Sequence, residues 1–219
     1  MSPTDAKIQT ERIEGMLLNF RIPETPGPHP VIFMFHGWTG DENSMWIFAT
    51  KMPEDALLIA PRGLYRSSLG GFGWYQHEDK AWPHFEDFSP AVDAIDRLRT
   101  SPFFSSADFS SIRMVGFSQG AALAYTFAIR RIGALQAIAG LSGFFPDGAE
   151  SVITERPLTG LPIFVAHGKR DQIVPIERAR QAVDLLSQAG AAVSFCEHDV
   201  GHKLNAECYR GMQVFFQEN

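Results

Sequence analysis

The sequence predicts an α/β fold with a mostly parallel central sheet and helices on both faces. Three observations predict it. Short runs of β-branched and aromatic residues alternate with segments of helical periodicity, which is the order of a parallel sheet with crossover helices. Several of those runs are apolar throughout, as strands covered on both faces must be. The 219 residues, 45% hydrophobic and 20% charged, suit one folded domain with a sizeable core spanning 1–219.

Taken in order, Met16–Phe20 reads as an early strand, and Pro23 to Pro30 as a turn-rich connection. Val31–Phe35 is a solid apolar strand, and Ser44–Lys51 a short helix. Ala56–Ala60 is a second buried strand stopped by Pro61. Residues 62–88, "RGLYRSSLGGFGWYQHEDKAWPHFEDF", form a long aromatic loop without clear periodicity, and long loops in compact domains tend to be functional. Ser89-Pro90 reads as an N-cap with Pro at the first helical position, and Val92, Ile95 and Leu98 then repeat at helical spacing. Ile112–Val115 is a strand and Gln119–Arg131 a helix, with Gly133 at its exit. Ala137–Leu141 and Ile163–His167 are strands, Ile176–Gln188 a helix, Val193–Cys196 the last strand and Lys203–Phe216 the last helix.

The bulk numbers exclude several classes. Net charge is −6 with scattered basic residues, so nucleic acid is not an expected partner. "MSPTDAKIQTERIEG" has no apolar leader core, and no apolar stretch has the length of a membrane span. A cytoplasmic protein is expected. Cys196 and Cys208 are the only cysteines, too few for a disulfide framework, and read as small buried apolar residues in a reducing compartment. Nothing in the spacing of ligand-type residues calls for a metal or an organic cofactor.

Ligands of parallel sheets bind beyond the C-terminal ends of the strands, so chemistry is sought there. "GFSQG", Gly116 to Gly120, joins a strand to a helix. A serine between two glycines at that junction suits a sharp turn that exposes Ser118 as a nucleophile. Such a serine needs a base further along the chain. His202, in "DVGHKL" at a loop-to-helix junction, is preferred over His198; His167 ends a strand. The base needs a carboxylate, and Asp171 in "HGKRDQIVP" is better placed than Asp147 in "FFPDG". Backbone N–H groups of Gln119 and of Trp38, in "HGWTGDE", are the expected donors to a tetrahedral oxyanion.

"FHGWTGDE", "APRG", "GGFGWY", "GFSQGAALAY", "GLSGFFP", "PIFVAHGKRDQIVP" and "DVGHKL" occur in this order from about Met16 to Phe216. In these the chain resembles the phospholipase/carboxylesterase family of α/β hydrolases, which includes carboxylesterases and acyl-protein thioesterases. The resemblance implies the α/β-hydrolase fold and a triad of Ser118, Asp171 and His202, with Trp38 and Gln119 amides as the oxyanion hole. It implies that Trp74, Phe144 and Phe145 lie near the substrate. The family usually carries an aliphatic residue where Trp38 stands and often an acidic one where Gln76 stands. These departures favour a short-chain or general carboxylesterase over an acyl-protein thioesterase.

The expected activity is therefore hydrolysis of small esters with an apolar acyl part, with thioesters as a further class. A peptidase or amidase of the same fold and a catalytically silent binding protein are the alternatives, and exposed aromatics leave a homodimer open.

Overall fold

The computed structural model describes residues 7–76 and 82–219. In chain order the strands and helices are β1 (Gln9–Ile13), β2 (Met16–Arg21), β3 (His29–Phe35), β4 (Leu57–Pro61), β5 (Tyr65–Arg66), β6 (Phe72–Gly73), α1 (Ser89–Thr100), β7 (Ala107–Phe117), α2 (Gln119–Arg130), β8 (Ala137–Leu141), α3 (Glu150–Ile153), β9 (Pro162–Gly168), α4 (Ile176–Gln188), β10 (Ala192–His198) and α5 (Ala206–Glu218). Eight strands form one sheet in the order β1-β2-β4-β3-β7-β8-β9-β10. β1, β2 and β4 pair antiparallel, and every pairing from β4 through β3 to β10 is parallel.

The strand period of two sorts the core into two layers. Val31, Phe33 and Phe35 of β3 face one side and pack with Val92, Ile95 and Leu98 of α1, Phe127 of α2 and Leu186 of α4. Ile32 and Met34 face the other and pack with Phe48 and with Met212 and Phe216 of α5. α2 is buried from Gln119 to Ile129, so it is the central helix against the sheet. Its position carries the turn described below to the middle of the sheet's C-terminal rim.

Most of the expected elements are present, and the departures have physical reasons. β1 (QTERI) is an additional strand: exposed on four of five residues, it is a polar edge paired only with β2, so it lacks an apolar signature. Ser44–Lys51 is a 3-10 helix rather than an α-helix. The expected irregular stretch 62–88 contains the hairpin of β5 and β6 and a 3-10 turn, Phe85–Phe88; its residues 77–81 lie outside the described residues. Ser89 does not cap α1, because that turn runs straight into the helix and the Ser89 hydroxyl donates to the Glu86 carbonyl (2.7 Å). α5 starts at Ala206, not at Lys203, since Asn205 caps it by accepting from Cys208 N–H (2.9 Å).

One expectation is overturned. Cys196 and Cys208 are not separate apolar residues: they form a disulfide joining β10 to the first turn of α5. Strand and helix bring their Cα atoms to 5.8 Å, inside the range that a disulfide requires. Among the described residues no helix is long and apolar enough to cross a membrane.

Candidate active site

The strand β7 ends at Phe117 and α2 begins at Gln119, so the chain must reverse at Ser118. Ser118 does so at φ 53°, ψ −116°, a sparsely populated conformation for a residue with a side chain. Its N–H donates to the Leu141 carbonyl on β8 (2.8 Å), and its own carbonyl accepts from Ala121 N–H (3.0 Å). The flanking glycines are steric requirements. A Cβ on Gly116 would overlap the Gly120 carbonyl, and one on Gly120 would overlap the Phe35 carbonyl. Strand, turn and helix are thus packed backbone against backbone, and the serine is 8% exposed at the rim.

Asp171 lies in the turn after β9. Its Oδ1 accepts the N–H groups of Ile173 and Val174, both at 2.9 Å. Its Oδ2 meets His202 Nδ1 at 2.7 Å and His167 Nε2 at 3.4 Å. The carboxylate is fully buried and its lone pairs are used, so it is held in one orientation. Because an ionised carboxylate only accepts, His202 Nδ1 carries the proton, and Nε2 is left with a lone pair.

The His202 ring packs edge-on against Phe117, the residue before Ser118, with centroids 4.9 Å apart. Its loop is tied to the Asp171 loop. Lys169 N–H donates to the His198 carbonyl (2.7 Å), and Arg170 N–H to the Val200 carbonyl (3.0 Å). Gly168 is needed there, since a Cβ would overlap the Val200 and Gly201 carbonyls. The two rival residues are engaged elsewhere: Asp147 pairs with Arg178 (2.8 Å), and His198 Nε2 stands 3.1 Å from Glu207.

The turn after β3 borders the serine closely. A Cβ on Gly37 would stand 3.2 Å from Ser118 Cβ, so the backbone leading into Trp38 runs beside the nucleophile position. Gln119 is the first residue of α2, and the N–H of a first helical residue has no partner within its helix.

His36 fixes the approach to this turn. Its Nδ1–H donates to the Gly37 carbonyl (2.6 Å), and its Nε2 accepts from Gly63 N–H (2.9 Å). Burial lowers the pKa of His36, as it does that of His167, which suits neutral rings in both places.

Trp38 is 38% exposed and lines a cleft of about 530 Å³ with Ile47, Phe48, Phe117, His202 and Leu204. Trp74, Phe144 and Phe145, expected near the substrate, are all buried in the core. The Trp74 indole donates to the His36 carbonyl (2.7 Å) and lies against the His36 ring. Phe144 packs on Trp82, and Phe145 stacks with Tyr125. The aromatic wall of the cleft next to His202 is made by Trp38, Phe48, Phe117 and Tyr209.

Sequence reasoning missed three supporting groups. His167 reaches Asp171 and the Val174 carbonyl (2.8 Å); its place four residues before Asp171 was the available signal. His36 was visible in "FHG", but its double contact depends on Gly63, 27 residues away. The Gln119 side chain accepts from Trp74 N–H (2.7 Å) and also bonds Tyr75, and nothing local announces either contact.

Comparison with known proteins agrees with this architecture. The family model described as phospholipase/carboxylesterase matches residues 21–218. Among solved structures, the chain is similar to a carboxylesterase from Mesorhizobium loti at 18% identity, covering 97% of this chain and 99% of that one, with a TM-score of 0.80. It is similar to the Bacillus cereus carboxylesterase at 20% identity, covering 93% and 94%, with a TM-score of 0.79. It also resembles Arabidopsis thaliana SOBER1 at 19% identity, covering 87% and 98%, with a TM-score of 0.74. With nearly the whole chain matched and the sheet, turn and rim loops arranged as described, the chain belongs to the phospholipase/carboxylesterase family.

Proposed function

We propose that this protein hydrolyses carboxylic esters, and thioesters as a further class, through Ser118 as nucleophile, His202 as base and Asp171 as the acid that orients it. The observation that carries the reading is the Asp171–His202 contact of 2.7 Å beside a serine held on a strained turn. The Ser118 hydroxyl oxygen attacks the ester carbonyl carbon while His202 Nε2 takes its proton. The carbonyl oxygen becomes an oxyanion, held by the N–H groups of Gln119 and Trp38. The tetrahedral intermediate then expels the alcohol or thiol, which leaves with the proton from His202. Water attacks the acyl-serine by the same route and releases the carboxylic acid. Asp171 keeps the imidazole tautomer and stabilises its cation without taking the proton.

The cleft beside His202, walled by Trp38, Ile47 and Phe48, suits the apolar part of a small ester. The deciding experiment pairs a fluorophosphonate probe with p-nitrophenyl esters of increasing acyl length. The wild type is expected to label at Ser118 and to turn over the shorter esters, and Ser118→Ala to do neither. Labelling that survives in Ser118→Ala would place the nucleophile elsewhere.

A further inference from the structure

Cys196 and His198 sit two residues apart on β10 and so project to the same face. That face is the one covered by α5, whose first turn carries Cys208 with its N–H held by Asn205 Oδ1. One ligand atom from each of Cys196, Cys208 and His198 lies within 4.8 Å of the others. Glu207 Oε2 is 3.1 Å from His198 Nε2.

We propose that, once the disulfide is reduced, Cys196, Cys208 and His198 form a binding site for a thiophilic divalent metal ion such as zinc, with Glu207 holding the imidazole. Two thiolates and an imidazole are the donor set such ions favour. Tetrahedral sites with metal–sulfur distances near 2.3 Å and metal–nitrogen near 2.0 Å hold their ligand atoms roughly 3.3–3.8 Å apart. The three ligand atoms lie within 4.8 Å of one another; the bonded sulfurs must move apart on reduction, and side-chain rotation is the adjustment that takes all three to that spacing. The N-terminal turn of the 13-residue helix α5 favours the thiolate of Cys208. The floor of the site is dry, with Cys208 2% exposed, and the half-exposed His198 and Glu207 side leaves a path from solvent.

The redox step balances through a named reductant. A phosphine and water, or a dithiol, supply two electrons to the sulfur–sulfur bond, which becomes two thiols. The metal then displaces the two thiol protons. Disulfide and metal make the same tie between the end of β10 and the start of α5. The cysteines are 12 residues apart, and His202 lies midway in the segment they bracket. The metal form thus keeps the His202 loop closed at its base when the disulfide is lost.

Cobalt(II) is the probe. Phosphine-reduced wild-type protein is expected to take up one equivalent, with the charge-transfer band of thiolate–cobalt and the visible bands of tetrahedral geometry; oxidised protein is expected to show neither. His198→Ala retains the disulfide and, after reduction, should bind more than about 100-fold more weakly. Glu207→Gln should lose about 10–100-fold, as for an outer-shell partner.

The Cys196→Ser/Cys208→Ser protein is the control for metal held elsewhere. Should reduction loosen the fold, one equivalent of cobalt must restore its circular dichroism. The proposal fails if reduced wild type binds no tighter than the double-serine protein, if His198→Ala matches wild type, or if a loosened fold does not recover. None of these readings depends on ester hydrolysis, so they are separable from the proposed activity.

Discussion

At the scale of single residues, Asp171 has the most constrained surroundings. One oxygen serves two backbone N–H groups, and the other serves His202 and stands near His167. Asp171→Asn separates these duties. The amide oxygen can still accept from Ile173 and Val174, so the turn after β9 survives. The amide nitrogen then faces His202 Nδ1 as a donor and forces the ring proton onto Nε2, which can no longer accept from serine. The expected result is an intact fold with unchanged KM and a kcat lower by about 10⁴-fold on p-nitrophenyl esters. A variant within tenfold of wild type would show that Asp171 does not orient the base.

Residue identity also explains which parts of the site were readable. Ser118, Asp171 and His202 each follow the C-terminal end of a strand, and the strands announce themselves by apolar runs. Trp74, Phe144 and Phe145 are buried in the core, and their inward packing is not legible in the sequence because aromatic composition does not say which face of a loop turns inward.

At the scale of elements, the readable ones carry their own pattern. Ile176–Gln188 has an apolar stripe, Ile176, Ala179, Ala182 and Leu186, and stops before Gly190 at φ 96°, so its bounds are legible from the sequence alone. β1 is polar and α3 has four residues, too short for a period to register. The disulfide escaped for another reason: its closure depends on where α5 docks against β10, which no local spacing states.

The junction of α2 with the loop after β6 is likewise tertiary, and it is held by the Gln119 side chain. Gln119→Ala removes the acceptor of the Trp74 N–H inside the protein and the partner of Tyr75, while leaving the Gln119 backbone N–H in place. An unpaired buried donor costs about 1–3 kcal/mol, which lowers the melting temperature of a chain this size by roughly 2–4 °C per kcal/mol. Fluorophosphonate labelling should persist while kcat/KM falls. Loss of labelling in a folded variant would assign the side chain itself to the chemistry.

At the scale of the whole molecule, the response to acid is set by two buried histidines that support the rim from below. Burial is the largest influence on both His36 and His167, and it holds each folded pKa below the ordinary value of about 6.5. Both rings also have neutral-state duties. His36 Nε2 accepts from Gly63 N–H, which a protonated ring cannot do. His167 Nδ1 is buried without a partner for a second proton.

In the unfolded chain both rings protonate as pH falls through about 6.5, whereas in the folded chain they resist until lower pH. The unfolded state therefore binds more protons in that window, and stability falls with pH. It is fully present above about 6.5 and declines below it, by up to about 1.4 kcal/mol per pH unit for each ring. The paired carboxylates Glu42 and Asp96 have lowered pKa values and act in a lower window, below about 4.5, so the two effects separate. Urea unfolding between pH 8 and pH 5 is expected to show this decline. His167→Gln keeps a donor for the Val174 carbonyl but does not titrate. That variant should be less stable at pH 8 and lose stability less steeply on acidification. An unchanged slope in His167→Gln would mean that the acid sensitivity arises outside the floor of the site.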